Sequence, residues 1–242
     1  MQETYFVDIH AHIVPNVDDG AQTVEEAVKI AEAAYLSGTR TIIATPHYYT
    51  AEDAQNEIEK NFRELSEILH KKLPELEIYL GSENYFHQQL AEEVKSGLSR
   101  TLAGSECVLV EFSIDARADF IFKSLLSLFS SGYEPILAHA ERYANLSDEN
   151  IENIYDLGAH IQINASAITA GEFKRRRKVK RWLKNGFVDF VSSDCHSVAS
   201  RPPQLTDAYE KVVKMCGSEY ADMVFRVNAE NLILTKNGQR FI

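Results

Sequence analysis

The sequence predicts one α/β domain over residues 1–242, built on a parallel sheet that is open or closed into a barrel. Three observations predict it. Short β-rich runs alternate with helix-like stretches seven times, the connections are short, and nearly every β-rich run ends in histidine, aspartate or glutamate. Strands alternating with helices across short joins make parallel βα units. Such folds gather their chemistry where the strands end and the loops diverge.

The first run, Tyr5–Ile9, leads into His10-Ala-His12. The helix expected at Thr23–Ser37 opens on a capping box, in which the Thr23 hydroxyl accepts an orphan N–H and Glu26 reaches back; Gly38 stops it. Arg40–Thr45 is the second strand and runs into His47, followed by a helix at Glu52–Lys71. Glu77–Leu80 is the third strand, running on to Glu83, with His87–Lys95 as its helix. Cys107–Glu111 ends on a glutamate and precedes a helix at Asp119–Ser131, stopped by Gly132. Pro135–Ala138 runs into His139, and the helix Asp148–Asp156 reaches Gly158. His160–Asn164 is followed by Gly171–Asn185 and Gly186, and Val188–Ser193 runs into Asp194 and His196 before a last helix at Pro203–Cys216. Glycine just beyond a helical pattern marks a left-handed C-terminal cap.

Composition narrows the function. With 242 residues, 45% hydrophobic and 25% charged, the chain suits one globular core. No apolar run is long enough to span a bilayer, and Met1–Asp8 lacks the basic and apolar regions of a signal peptide. Three cysteines without a CxxC pair fit a reducing cytoplasm. A net charge of −11 disfavours a nucleic-acid partner. A small anion is still acceptable, because local cations can outweigh the global charge.

Five of the eight histidines (His10, His12, His47, His139, His196) fall at strand ends, beside Glu83, Glu111 and Asp194. A lone histidine is usually a packed or surface residue. A set of them among carboxylates, which would be costly to bury unpartnered, points to metal. The period-2 alternation of β structure puts both imidazoles of His10-Ala-His12 on one face, with Asp8 sharing it as a residue that could orient a histidine. Mixed imidazole and carboxylate donors suit Mn, Fe or Zn better than Ca or Mg.

The chain resembles the PHP (polymerase and histidinol phosphatase) tyrosine phosphatases of bacterial capsule and exopolysaccharide loci. The resemblance is carried by His10-Ala-His12, Pro15-Asn-Val-Asp-Asp19-Gly20, Ala44-Thr-Pro-His47, Gly81-Ser-Glu83, Val110-Glu111-Phe112, Ala138-His-Ala-Glu-Arg142-Tyr143 and Ser193-Asp194-Cys-His196, in order along nearly the whole chain. It implies a distorted (β/α)7 barrel with three divalent ions, usually manganese. It gives His10, His12, Glu83 and Asp194 to the first ion, and Glu111 and His139 to the second, with Glu83 bridging. Asp19, His47 and His196 go to the third, and Arg142 and Arg201 to phosphate. The implied partner is the phosphotyrosine tail of an autophosphorylating kinase that governs polysaccharide export. Two departures are visible: a few extra residues precede the first strand, and the loop after His47, Tyr48-Tyr49-Thr50-Ala51, is short. The charge tally agrees with a phosphate site, since three divalent ions outweigh the four carboxylates and both arginines add to the excess.

Competing readings remain. Within the fold, a small-molecule phosphatase of the histidinol-phosphate type would share the metal centre; from another class, the chain would be a non-catalytic metal-binding regulator. Cys195 to Arg201 has the C-x5-R spacing of cysteine-dependent phosphatases, but its interior lacks glycine and Pro202-Pro203 follow, a poor frame for N–H groups around a phosphate. The run Lys174–Arg181 carries seven cations in eight residues and reads first as a solvated helix face, second as a docking surface. Tyr48, Tyr49 and Tyr143 read either as an aromatic wall for a substrate ring or as ordinary amphipathic residues.

Overall fold

A computed structural model describes residues 4–50, 55–170 and 172–234. Its strands are β1 (Phe6–Ala11), β2 (Thr39–Ala44), β3 (His47–Tyr48), β4 (Glu77–Leu80), β5 (Glu83–Tyr85), β6 (Cys107–Glu111), β7 (Glu134–Leu137), β8 (His160–Asn164) and β9 (Phe190–Ser192). The helices are α1 (Val24–Leu36), α2 (Gln55–Lys72), α3 (Leu90–Ser96), α4 (Ala118–Ser130), α5 (Asp148–Asp156), α6 (Ala165–Thr169), α7 (Phe173–Lys184), α8 (Thr206–Cys216), α9 (Ser218–Asp222) and α10 (Asn228–Leu234). Each expected strand and helix is found within a few residues of its expected place. Glu52, Ala51 and Gly171, which fall in an expected helix, loop and helix, lie outside the described residues.

Every residue of β1 is buried, the mark of a parallel strand covered on both faces. The strands form a curled parallel sheet in two hydrogen-bonded sections, β1-β2-β4 and β3-β5-β6-β7-β8-β9. The sections divide where β2 and β4 each break. Thr45-Pro46 separates β2 from β3, and Gly81-Ser82 separates β4 from β5. The breaks are matched: Gly81 N–H donates to the Ala44 carbonyl at 2.8 Å and Glu83 N–H to the Pro46 carbonyl at 3.1 Å. Pro46 has no N–H to give a ladder, so a break suits it. Gly81 is held by close approach, since a Cβ there would lie 2.8 Å from the Leu102 side chain. At the far edge, β9 meets β1 through an isolated bridge between Ala11 and Cys195, with Asp194 N–H to His10 O and His12 N–H to Cys195 O both at 2.9 Å.

Thr23 caps α1 through the Glu26 N–H, but Glu26 reaches one residue beyond the expected position, to the Gln22 N–H at 2.8 Å. The reciprocal box occurs instead at Ser147 and Asn150, opening α5. Trp182 on α7 is fully buried and donates to Asp148 Oδ1 at 2.9 Å, joining α7 to the start of α5. The run from Ser218 to Leu234 was not anticipated. It contains a π-helical turn at Met223–Val227, which slips the 3.6-residue period that would have revealed a helix. It seals the β1–β9 edge, with Ala229 and Leu232 packed among Val7, Ile9 and Phe190.

Candidate metal centre

β1 alternates as expected, and the Nε2 atoms of His10 and His12 come within 3.2 Å of each other. The matched breaks set the rest. They put His47 and Glu83 in register as parallel partners across β3 and β5. Glu111 closes β6, and His139 and Asp194 follow β7 and β9 in left-handed backbone, at φ 32° and 53°. Such conformations cost non-glycine residues about 1–3 kcal/mol each and collect at functional sites. The loop before α1 folds back on β1: a Cβ at Gly20 would lie 2.2 Å from the His12 carbonyl oxygen, and Ala21 N–H donates to that oxygen at 3.1 Å.

Glu83 is the hub. Its Oε2 lies 3.1 Å from His10 Nε2 and 3.2 Å from both His12 Nε2 and His47 Nδ1, while Oε1 lies 2.7 Å from His139 Nε2. Asp194 Oδ1 is 3.5 Å from both His10 and His12, and Glu111 Oε1 is 3.2 Å from His47 Nδ1. On the outer side, Asp19 Oδ1 stands 3.2 Å from His196 Nε2 and 3.4 Å from His47 Nε2. All nine expected ligand residues therefore meet in one place. The groups whose donor atoms could hold an ion are His10, His12 and Glu83; His47, Glu83 and Glu111; and His12, Asp19, His47 and His196. His12 and His47 each stand in two of these groups, a sharing not foreseen from sequence. The other histidines lie elsewhere: His70 is exposed on α2, His87 pairs with Glu93, and His160 with Asp189.

The donor set fits cations. Burial alone would raise the Glu83 carboxyl, but His10, His12 and His139 outweigh it and hold it well below the carboxylate range. Burial would lower His139, yet Glu111 and Glu83 raise it to about 9. His196 is pulled the other way, down to about 4, by burial and by His12 and Arg201. His47 Nδ1, Asp194 Oδ1 and His196 Nε2 are buried without a hydrogen-bond partner, although each lies within 3.5 Å of another ligand-type atom. Donors this close, without hydrogen-bond geometry, suit divalent ions in place of protons.

A second layer orients these donors, and sequence reasoning missed most of it. Asp18 Oδ2 accepts from His12 Nδ1 at 2.8 Å and from the His47 N–H at 3.1 Å, so it aims His12 Nε2 into the site. Burial would raise Asp18, but His12 holds it down to about 2. Gln162 on β8 approaches His10 Nδ1 at 3.3 Å and accepts the His139 N–H, and Asn164 donates to Asp194 Oδ2 at 2.7 Å. Two buried amides alternating with the isoleucines of β8 were the available signal. The expectation for Asp8 is corrected. Among the described residues it makes no side-chain hydrogen bond to an imidazole; it accepts from the Ser193 N–H at 3.0 Å, from the Ser193 hydroxyl and from the His10 backbone N–H at 3.4 Å, anchoring the turn that presents Asp194.

Arg142 and Arg201 reach the site from its rim. Their Nη2 atoms lie 2.5 Å and 2.6 Å from Asp194 Oδ2, with each side chain about one-third exposed. The aromatic wall is corrected: Tyr48 is fully buried with its hydroxyl on Glu93, and Tyr143 is buried with its hydroxyl accepting the Phe112 N–H. Tyr49 alone of the three is at the surface, stacked on His47 and 5.8 Å from Tyr85. The C-x5-R segment is no phosphate loop. Cys195 is fully buried among Ala11, Ile13 and Ala21, burial pushes its thiol up, and the His196 and Ser197 N–H groups bond to the Arg201 carbonyl. Cys195→Ala is therefore expected to keep aryl-phosphate turnover within about threefold of wild type while losing some stability through the small cavity. Loss of turnover with metal content unchanged would restore the thiol as nucleophile.

Residues 6–234 match the family described as capsular polysaccharide synthesis, CpsB/CapC. The chain belongs to the CpsB/CapC family. It is 34% identical to tyrosine-protein phosphatase CpsB of Streptococcus agalactiae serotype III over 240 residues, covering 94% of this chain and 98% of that one. It is 32% identical to tyrosine-protein phosphatase YwqE of Bacillus subtilis, covering 94% and 91%. Among solved structures, it matches one from a study of Bacillus subtilis YwqE and Streptococcus pneumoniae CpsB, described as metal-dependent tyrosine phosphatases. The TM-score is 0.88 at 27% identity, with 97% of this chain and 96% of the other covered. A phosphotriesterase homology protein from Escherichia coli shares the fold alone, with a TM-score of 0.63 at 13% identity.

Proposed function

We propose that this CpsB/CapC family member is a metal-dependent phosphatase that hydrolyses phosphotyrosine on a protein, and that its target is the tyrosine-phosphorylated tail of a bacterial kinase controlling capsular or exopolysaccharide synthesis. The observation that carries the chemistry is the buried Glu83 carboxylate surrounded by His10, His12, His47 and His139, with two rim arginines on the neighbouring Asp194. The substrate class comes from relatives at 30–34% identity over nearly the whole chain, all named tyrosine-protein phosphatases. The curled sheet is read as a distorted seven-unit barrel in which β2 with β3 and β4 with β5 each count as one broken strand, closed at the β9–β1 bridge.

In this reading His10, His12, Glu83 and Asp194 hold one divalent ion, Glu83, Glu111 and His139 a second, and Asp19, His47 and His196 a third, with manganese the first choice and iron or zinc the alternatives. Bound ions supply Lewis acidity toward a phosphoryl oxygen and lower the pKa of water. The chain does the rest. Asp18 and Gln162 fix the imidazole orientations, Asn164 holds Asp194, and Arg142 and Arg201 offer planar N–H pairs to phosphate oxygens. Among the described residues we assign no general acid beyond the proposed ligands, which favours a phenol, of pKa near 10, over an aliphatic alcohol as leaving group. No described helix is long and apolar enough to cross a membrane. We assign the enzyme to the cytoplasm, where the kinase tail would meet it.

The test compares a phosphotyrosine peptide, a matched phosphoserine peptide and histidinol phosphate as substrates, with metal content measured on the same sample. Chelation should abolish turnover of all three and Mn²⁺ should restore it, with the highest kcat/KM for phosphotyrosine. A higher value for histidinol phosphate would transfer the assignment to a small-molecule phosphatase and leave the metal centre standing.

A further inference from the structure

We propose that the outer face of α7 is a docking surface for acidic residues that flank the phosphotyrosine, so that the enzyme grips its substrate as a polyanionic peptide segment. This rests on the phosphatase reading above and adds to it where the rest of the substrate lies.

The run Lys174–Arg181 concentrates seven cations in a chain whose net charge is −11. Within α7, Val179, Trp182 and Leu183 are buried, so the opposite face, with Lys174, Arg176, Arg177 and Lys180, is exposed. Two of the seven cations are committed within the fold. Arg181 pairs with Asp148 at 2.6 Å, and Lys178 donates to the Tyr143 carbonyl at 2.8 Å and lies over the Trp182 ring. Lys174, Arg175, Arg176, Arg177 and Lys180 have no ion pair among the described residues. Their placement also opposes helix stability. The first turn of α7 holds no acidic residue, and cations there face the positive end of the helix dipole. Glu172 stands at the N-cap without a side-chain cap hydrogen bond, and beyond it α7 has no acidic residue to form the i,i+4 pairs of opposite sign usual on a merely solvated face.

Position supplies the partner. β8 ends toward the site at Asn164, and α6 and α7 turn back from it, so the first turns of α7 lie on the site's side of the sheet. α7 packs against the 140–142 turn, and the Tyr143 carbonyl that takes Lys178 is one residue from Arg142. α7 thus lies beside the turn that carries a rim arginine, joined to it at mid-helix through Lys178, with its N-terminal cations on the strand-end side. Twelve helical residues span about 18 Å, the length of about five residues of extended peptide. Acidic side chains within that distance of the phosphotyrosine would meet these cations. A nucleic-acid partner is disfavoured by the overall charge, and a membrane partner by a face whose one exposed aromatic is Phe173.

The experiment uses the metal-loaded protein with two charge-reversed variants, Lys174→Glu/Arg177→Glu near the rim and Lys180→Glu/Lys184→Glu at the far end. Substrates are p-nitrophenyl phosphate and two phosphotyrosine peptides of equal length, one with acidic flanks and one with neutral flanks. Binding of the labelled acidic peptide is followed by anisotropy across a salt series, with anionic vesicles as a separate probe. The rim variant should lose about tenfold in kcat/KM for the acidic peptide, through KM, and the far variant less. p-Nitrophenyl phosphate and the neutral peptide should change less than twofold. Equal losses on both peptides, equal losses from both variants, no wild-type preference for acidic flanks, or vesicle binding that the rim variant abolishes while peptide binding persists would each overturn the proposal. Salt-sensitive peptide binding without turnover of any substrate would sustain the docking surface and remove the phosphatase reading.

Discussion

Glu83→Gln should abolish aryl-phosphate hydrolysis, by on the order of 10³-fold or more, and should lower bound metal in the same preparation. The size of the effect follows from geometry. Glu83 is buried, both of its oxygens are in use, and four imidazoles from β1, β3 and the end of β7 converge on them. Glutamine keeps the shape, but one oxygen becomes an NH2 that cannot ligate, and the negative charge that Glu83 would supply to bound cations is gone. The fold should survive, because a neutral amide is less costly to bury than a carboxylate. Circular dichroism and metal analysis on one sample check this. Full metal content in a folded, inactive Glu83→Gln protein would show that Glu83 acts on substrate and is not a ligand.

A gentler change should separate ligands from their supports. Asp18→Asn keeps an acceptor for His12 Nδ1 but loses the charge that fixes the tautomer, and a loss of about 10–100-fold in metal affinity or rate is expected. Rate and affinity unchanged in that variant would make Asp18 a structural residue of the loop before α1.

The residues proposed as ligands, which the structure gathers in one place, were legible because they are rare, polar and sited where aliphatic strands stop. Their supports were not. Asp18 stood beside Asp19, and nothing local says which carboxylate turns inward; the Gly20 contact with His12 decides it, and that is a tertiary fact. Gln162 and Asn164 were hidden by their residue types, which bind metal seldom. Asp8 shared the face of His10 as expected, yet its carboxylate takes the N–H and hydroxyl of Ser193 and the backbone N–H of His10. Tyr48 and Tyr143 read either as a substrate wall or as amphipathic surface residues, because tyrosine tolerates many settings; each is buried with a specific partner for its hydroxyl. The sheet was recognisable from alternation, but its two matched breaks depend on pairing across strands, which no single run reveals. The C-terminal helix was lost to a one-residue slip at the π turn.

Arg142→Ala and Arg201→Ala should each lower kcat by about 10²–10³-fold, as expected for loss of one donor to a transition-state oxygen. Both should keep their metals. Asp194 Oδ2, where the two guanidinium groups meet, is also held by Asn164 Nδ2 at 2.7 Å, so the carboxylate stays in place when one arginine is removed. Oδ1, the oxygen facing His10 and His12, is not touched by the change. Because the two arginines share a partner, their effects should not add, and the double variant should lose less than the product of the single losses. Lysine should rescue poorly at either position, since a point charge cannot reproduce the planar pair of N–H groups. Metal content and kcat measured together divide the outcomes. Retained metal with lost rate makes the arginines a phosphate clamp. Lost metal in either single variant would make that arginine a support for Asp194, and the clamp would then rest on the other alone.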